Sequence, residues 1–401
     1  MLAEAKMGGV FSLFFCGCIF ALALGQFALV YKFGDGGIYS FDILLLVFCL
    51  AALSFFIIKR KKIQVTVPGM LLCSFCLIGG ISLAFSPIKL SSSELLVAGA
   101  YLVRLATYVL FYICLHNLVT AGLLKTGTIE KAVVVSGVFL FIAGIIQLIV
   151  FPNLGLISDL YDWDPHKNRM FATFFDPNFL GMYFVICLGI SIKRMKRSAL
   201  ASTLLVTFFS LGILLTFSRS AWLAASVLMF FVLLKKKVFL IFAFILVLLA
   251  FLAVPRIQTR LTGITDPSDS THFRLTSWSN SLQIIKVNWA FGIGYNAYRY
   301  AQLNYGLIAA SAASSRSGAG SDASLLLAFA DTGVVGITIL VCFWLGVFLK
   351  GLKTKKMYMS GLVAALALNS IFINSLFYPQ IFVALLVVVA AEGFEPSTPA
   401  M

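Results

Sequence analysis

Twelve apolar runs, most of them close to the length of a membrane span, follow one another along this chain and leave it little else to fold with. About 20 apolar residues, wound as a helix, cross the hydrocarbon core of a bilayer. The runs fall at about 10–31, 41–58, 65–85, 95–116, 132–151, 179–192, 199–217, 221–234, 238–254, 323–349, 358–378 and 380–391. Composition points the same way: the 401 residues are 61% hydrophobic and 11% charged, with a mean hydropathy of +1.02, whereas soluble domains carry about 25% charged residues. A soluble globule is excluded. The expected fold is all-α: a single polytopic membrane domain over 1–401 with about 12 transmembrane helices. Ala21-Leu22-Ala23 resembles a signal-peptidase site, but its run is too long for a signal peptide and only Lys6 supplies positive charge before it, so the sequence predicts a retained helix.

The net charge of +15 would suggest nucleic acid in a soluble domain. Here the basic residues sit between apolar runs, where they set topology, and no basic-aromatic surface is left for nucleic acid. Cytoplasmic loops carry the Lys and Arg excess. With the N-terminus inside, Lys59-Arg60-Lys61-Lys62, Lys193 to Arg197, Lys235-Lys236-Lys237 and the Lys350-to-Lys356 cluster all become cytoplasmic, and both termini do too. The same parity puts 152–178, the turn at Ser218-Arg219 and the long loop 255–322 outside. Those external segments keep their charges against the rule, which points to work for the charges. The eight cysteines all lie inside apolar runs, where small apolar filler is the expected role, the Cys73 to Cys76 spacing included.

The loop 255–322 is the longest polar connection. It carries Arg256, Arg260, Arg274, Lys286, Arg299 and Arg316 against Asp266, Asp269 and Asp322, with His272 beside them. Leu275, Trp278, Leu282 and Ile285 recur at helical steps and predict an amphipathic helix from about Arg274 to Lys286, lying in the membrane interface. Phe291-Gly292-Ile293-Gly294-Tyr295 predicts a glycine-hinged turn, and 311–324 is a small-residue stretch suited to a mobile cover. In the loop before the sixth run, Asp159, Asp162, Asp164 and His166 lack the glycine-turned spacing of a calcium loop, so no metal is expected. Asp176 can cap the next helix, with Pro177 in its first turn and Asn178 after it, which sets Arg169 near a helix N-terminus where anions are favoured. Arg219, between Ser218 and Ser220, lies at the membrane surface. It reads either as an arginine snorkelling to head groups or as a fork for phosphate oxygens. Asp331 lies inside the tenth run, where a carboxylate is costly and marks either function or an ion-pair partner; Arg104 in the fourth needs a partner as well.

Taken together, Arg169 through Asp176-Pro177-Asn178, Ser218-Arg219-Ser220-Ala221-Trp222-Leu223, Arg274 and Trp278 through Ala290 to Gly294, and Asp322 through Asp331-Thr332-Gly333 to Gly336 resemble the O-antigen ligase and polymerase family. The resemblance covers roughly 169–336. It implies a GT-C-like membrane enzyme of the bacterial inner membrane with its active site outside, transferring a glycan from a polyprenyl diphosphate donor to a lipid or glycan acceptor, without metal or other cofactor. It also implies that Arg219 and Arg274 hold the donor diphosphate with Arg169 nearby, and that Asp322 stands where the lipopolysaccharide ligases usually carry His followed by Asn. Acidic residues at that place are familiar among polymerase-like members. Asp331, His272 and Asn178 are supporting candidates. The alternative is a secondary transporter or a flippase for lipid-linked glycans, but no repeats or paired broken helices are visible and the charges gather at one face instead of the bilayer midplane.

Overall fold

The computed structural model describes residues 2–34, 36–156, 166–194, 199–234, 258, 270–309 and 317–393. These are overwhelmingly helical. Long helices run through α1 (Leu2–Ala23), α2 (Ser40–Ile58), α3 (Val67–Ala84), α4 (Ser92–Thr120), α5 (Thr126–Val150), α6 (Pro177–Arg194), α7 (Ala199–Leu215) and α8 (Arg219–Leu233). After them come α9 (Ser270–Asn288), α10 (Tyr298–Asn304), α11 (Ser324–Lys353), α12 (Met357–Phe372) and α13 (Pro379–Ala391). Six of the described helices (α1 to α5 and α11) are long and apolar enough to cross a membrane, and four more are apolar but shorter, at 10–17 residues. The protein is a multi-pass membrane protein. The run at 238–254 lies outside the described residues.

Two departures from the expected runs have clear causes. The first run is expected to continue to residue 31, yet α1 stops at Ala23 and the chain forms an antiparallel hairpin, β1 (Leu29–Phe33) with β2 (Gly36–Tyr39). Val30, Tyr31, Phe33, Ile38 and Tyr39 are β-branched or aromatic and suit a strand as well as an apolar helix, so hydropathy alone could not separate the two. The second departure is in α11, which breaks at Gly333 (φ 65°, ψ −170°). That leaves 334–353 as the apolar span and sets Ser324 to Thr332 apart as a separate arm.

The arm lies across one end of the bundle, because its two ends are pinned to two different helix ends. Ser324 Oγ donates to the Ile373 carbonyl just past α12, at 3.2 Å. At the other end the Asp331 carbonyl accepts from Ser82 Oγ, two residues before the end of α3, at 2.6 Å. Helix α9 follows the arm. Ser277 Oγ accepts the Asp322 N–H at 3.0 Å, and the Trp289 carbonyl accepts the Val334 N–H at 2.8 Å. Glycine is required where the two cross: a Cβ on Gly333 would stand 2.2 Å from the Ala290 carbonyl oxygen, and one on Gly292 2.5 Å from the Asp331 carbonyl.

The core surrounds α6, whose residues from Leu180 to Ser191 are all buried. Gly181 and Gly189 on it meet Ala221 of α8 and Leu362 of α12; small residues of this kind let membrane helices approach closely. Helix α13 is only 13 residues long and is buried throughout from Gln380 to Ala391. A helix walled in by protein is not held to the full span length that a lipid-facing one needs. The charged pair at the hairpin end is also settled: Arg104 of α4 bonds Asp42 of α2 at 2.7 Å and the Gly37 carbonyl of β2, and Tyr108 donates to Asp42 at 2.8 Å. That partner answers the cost of an arginine within a span.

Candidate active site at one end of the bundle

Helices α2, α4, α6, α8, α11 and α13 begin at the same end as the hairpin, so their N–H groups and positive dipole ends gather there. Asp176 caps α6 as the sequence predicts: its Oδ1 accepts the N–H of Asn178 at 2.6 Å and of Phe179 at 3.2 Å. Burial pushes the Asp176 carboxyl above its ordinary range, while the Arg169 guanidinium and the hydrogen bonds from Asn178 and Phe179 pull it back without cancelling the effect. Ser218 caps α8 through the Ala221 N–H, and Arg219 is the first residue of that helix.

Asn178 joins the two caps. Its Oδ1 accepts from Arg169 at 3.2 Å and from Ser218 Oγ at 2.8 Å. Because the single Ser218 hydroxyl proton is directed at Asn178, Ser220, whose Oγ lies 3.1 Å away, is the donor in the Ser218–Ser220 bond. Arg169 is buried and also donates from Nε to the Thr216 carbonyl at 2.9 Å. Next to it, the Met170 N–H donates to the Leu215 carbonyl at 2.9 Å, which stitches the 166–176 loop to the end of α7. Two of the residues singled out in the sequence, Arg169 and Asn178, thus belong to one hydrogen-bonded unit with Ser218, and Arg219 follows that cap directly in the chain.

Arg274 and Asp322 form the second group. Both are half-buried, and the turn of α9 after Arg274 carries Ser277, which takes the Asp322 N–H. Helix α9 exists as predicted, and the face it turns to the protein is largely polar. Ile284 and Ile285 are buried along with Asn280 and Ser281, whereas Leu275 and Leu282 are each 55% exposed. The helix packs through polar bonds: Ser281 Oγ lies 2.7 Å from the Tyr298 hydroxyl and 2.8 Å from Ser321 Oγ, and Asn280 donates to Gln302 at 3.3 Å. Burial pushes the Tyr298 hydroxyl up to about 12, so it stays a donor at any relevant pH. His272 is exposed on the first turn of α9.

The segment 373–378 links the two groups. Ser324, two residues after Asp322, accepts the Leu376 N–H at 3.1 Å and donates to Ile373. From the same segment the Tyr378 ring stacks on Phe179, centroids 3.9 Å apart, and its hydroxyl donates to the Phe174 carbonyl at 3.2 Å. Asp331 stands apart from the arginines: its Oδ2 accepts the Asn296 N–H at 2.9 Å, which fixes the glycine turn at 292–294. Among the described residues no group of three His, Cys, Asp or Glu is placed to hold a metal. Asp159, Asp162, Asp164, Arg256, Arg260, Asp266, Asp269 and Arg316 lie outside the described residues.

Several contributors were not found from the sequence. Gln147 of α5 accepts the Phe171 N–H at 2.9 Å and donates to the Arg169 carbonyl at 3.3 Å, shaping the loop that presents Arg169. Gln26 accepts from Tyr39 of the hairpin at 3.0 Å and donates to Tyr378 at 3.4 Å. A lone amide inside an apolar run was the available signal for Gln147.

Residues 203–341 match the family model described as O-antigen ligase. That segment takes in Arg219, Arg274, Asp322 and Asp331, while Arg169 and Asn178 fall before it. No curated protein matches the chain. This stretch, which carries α8, α9 and the arm of α11, is what the protein shares with the O-antigen ligase family.

Proposed function

We propose that the protein is a membrane glycosyltransferase that moves a glycan from a polyprenyl diphosphate donor to a lipid or glycan acceptor in cell-surface polysaccharide synthesis. The observation that supports this reading is the joining of Arg169 and Ser218 through Asn178 at the N-termini of α6 and α8, with Arg219 the first residue of α8, at the end of the bundle where Ser277 of α9 takes the Asp322 N–H. Among the described residues, Lys59 to Lys62, Lys193 with Arg194, and Lys350 to Lys356 lie at the opposite end from the hairpin, which supports reading the hairpin end as the outer face of a bacterial inner membrane, in a GT-C-like arrangement with both termini cytoplasmic.

The acceptor hydroxyl attacks the anomeric carbon, the bond from that carbon to the phosphate oxygen breaks, and the diphosphate leaves with the electron pair. Negative charge therefore develops on the bridging oxygen, and arginines aimed at it stabilise the transition state more than the ground state. Arg219 and Arg274 clamp the diphosphate, and Arg169 fixes the geometry of Asn178 and Ser218 while adding positive charge. The arginines supply the charge that the leaving group needs, so the reading requires no metal. Asp322 takes the acceptor proton. Asp331 supports the site by holding the glycine turn after α9 through the Asn296 N–H, and His272 is a supporting residue on the exposed first turn of α9.

The test is transfer from a polyprenyl diphosphate glycan by purified Arg219→Lys and Arg274→Lys variants. Lysine keeps the charge and loses the two-pronged guanidinium geometry. A charge-assisted hydrogen bond is worth about 1.5–3 kcal/mol, so each change is expected to slow transfer roughly ten- to hundred-fold. Arg256→Lys is the control and is expected to match wild type. Wild-type rates in both variants would return Arg219 to the role of a snorkelling anchor. Deleting the gene then assigns the acceptor: glycan chains lost from their lipid anchor mean ligation, and single repeat units mean polymerisation.

A further inference from the structure

Helix α9 is divided lengthwise into three sectors. Ser277, Asn280, Ser281 and Ile284 face the protein. Thr276, Ser279 and Gln283 are exposed and polar. Between these lies an apolar flank of Leu275, Trp278 and Leu282, continued by Trp289 just past the helix; Leu275, Leu282 and Trp289 are exposed and Trp278 is half-buried. A helix that lies at a protein edge in contact with water on one side needs no apolar flank of this kind. A helix lying at a bilayer surface does.

Two further observations identify what covers the flank. Trp278 packs on Phe372, ring centroids 6.2 Å apart, at the end of α12 where Ile371 is exposed. The flank is thus continuous with the outward face of a spanning helix. Beside it a cleft of about 390 Å³ is lined by Leu275, Trp278, Ser279, Leu282, Gln283 and Lys286. Its floor is apolar and its rim carries one cation, the pattern of an acyl chain with an anionic head group. The Trp278 indole N–H, buried from solvent, has no hydrogen-bond partner among the described residues; an indole with an apolar body and a polar edge is the usual residue at this depth.

We propose that the α9 flank is a binding seat for a phospholipid of the outer leaflet, with an acyl chain against Leu275, Trp278 and Leu282 and the head-group phosphate on Lys286. The lipid holds α9, and with it Arg274, level with the membrane surface. This rests on the membrane reading and, for the choice of leaflet, on the orientation proposed above; it needs no glycan donor, so the seat stands or falls independently of the glycosyl transfer.

The test uses the full-length protein in nanodiscs of phosphatidylcholine, with and without phosphatidylglycerol, the lipids brominated along one acyl chain so that they quench nearby tryptophans. No polyprenyl lipid is present, which separates bulk phospholipid from a donor chain. The expected result is that Trp278→Phe, which keeps an aromatic ring on Phe372, removes a quenchable part of the wild-type emission. When the brominated lipid is phosphatidylglycerol in an unbrominated phosphatidylcholine bilayer, Lys286→Gln should lower its occupancy of the seat about fivefold, corresponding to roughly 1 kcal/mol for one basic residue near an anionic surface. A Trp278→Phe protein that is monodisperse and quenched to the same extent as wild type would show that Trp278 does not meet lipid and would overturn the proposal. Equal quenching by phosphatidylglycerol in Lys286→Gln and wild type would overturn the head-group assignment.

Discussion

Two groups of basic residues, one at each end of the bundle, are held in different ways. At the end holding the short basic loops, Lys193, Arg194 and Lys356 are matched to carboxylates. Lys193 lies 2.5 Å from Glu130 and bonds Glu392, Lys356 lies 2.6 Å from Glu392, Arg194 lies 3.8 Å from Glu130, and the Tyr358 hydroxyl donates to Glu392. At the other end, Arg169 donates to the carbonyl of Thr216 and the amide oxygen of Asn178, both neutral. The neighbouring Asp176 directs one oxygen to the N–H groups of Asn178 and Phe179. A cation matched to a carboxylate has its field largely cancelled, whereas hydrogen bonds to neutral oxygens fix a guanidinium in place without themselves adding a countercharge. Basic residues therefore have two different roles here, a fastening of carboxylates and a holding of neutral oxygens.

The largest effect that separates the two ends is expected at Arg169. Arg169→Leu removes a buried cation, its bond to the Thr216 carbonyl and its bond to Asn178, which keeps only Ser218 as donor, so glycan transfer is expected to fall by about a hundred-fold or more, from the two bonds lost at about 1.5–3 kcal/mol each. Arg194→Leu, at the opposite end, is expected to leave the transfer rate of the folded protein unchanged. Equal losses in the two variants, measured per folded molecule, would erase the distinction between the ends.

The fastening end should show itself in stability and in acid sensitivity. Burial pushes the Glu392 carboxyl up, but hydrogen bonds from Lys193, Lys356 and Tyr358 more than offset this and hold it below its ordinary value of 4.5. A carboxylate with a lowered folded-state pKa stabilises the fold above its unfolded value, and that contribution is lost as pH falls through the folded one. Glu392→Gln is therefore expected to cost about 3 kcal/mol at neutral pH, the low end for breaking a buried ion pair because Glu130 still receives Lys193. The difference from wild type should shrink as pH drops below 4.5. Thermal unfolding in detergent across that range checks both the size and the sign, and a difference that grows toward acid would contradict the ion-pair reading.

What could be read from the sequence follows the range of the forces involved. Span positions were legible because each run carries enough apolar length to declare itself, and the Asp176 cap because it depends on neighbours in sequence. The hairpin at 29–39 was not, since its residues suit strand and membrane helix alike. Helix α9 was legible as a helix, but the face it turns to the protein was not, because Ser277 and Ser281 are satisfied by Ser321, Tyr298 and the Asp322 N–H, partners 17 to 45 residues away that no local pattern displays. At the site, Arg169, Arg219, Arg274 and Asp322 could be singled out as residues. That Asn178 would bind Arg169 and Ser218 together could not, because that bond depends on how α6 meets α8.

The smallest expected effect tests whether the hairpin and the segment 373–378 help to position the arginines. The Tyr378 hydroxyl accepts from Gln26 at 3.4 Å and donates to the Phe174 carbonyl at 3.2 Å, two residues before the Asp176 cap. Tyr378→Phe keeps the stack on Phe179 and removes the hydroxyl, a loss of about 1 kcal/mol. If that loss loosens the α6 N-terminus, and with it Asn178 and Arg219, transfer should fall up to about fivefold. A purely structural role predicts that the same loss adds to that of Arg219→Lys, since distant and independent changes add. A positioning role predicts that Tyr378→Phe does little once Arg219 is already lysine, because there is no longer a guanidinium fork to aim. Measuring transfer for both single variants and the double variant decides between them, and additive losses would remove Tyr378 from the active-site assembly.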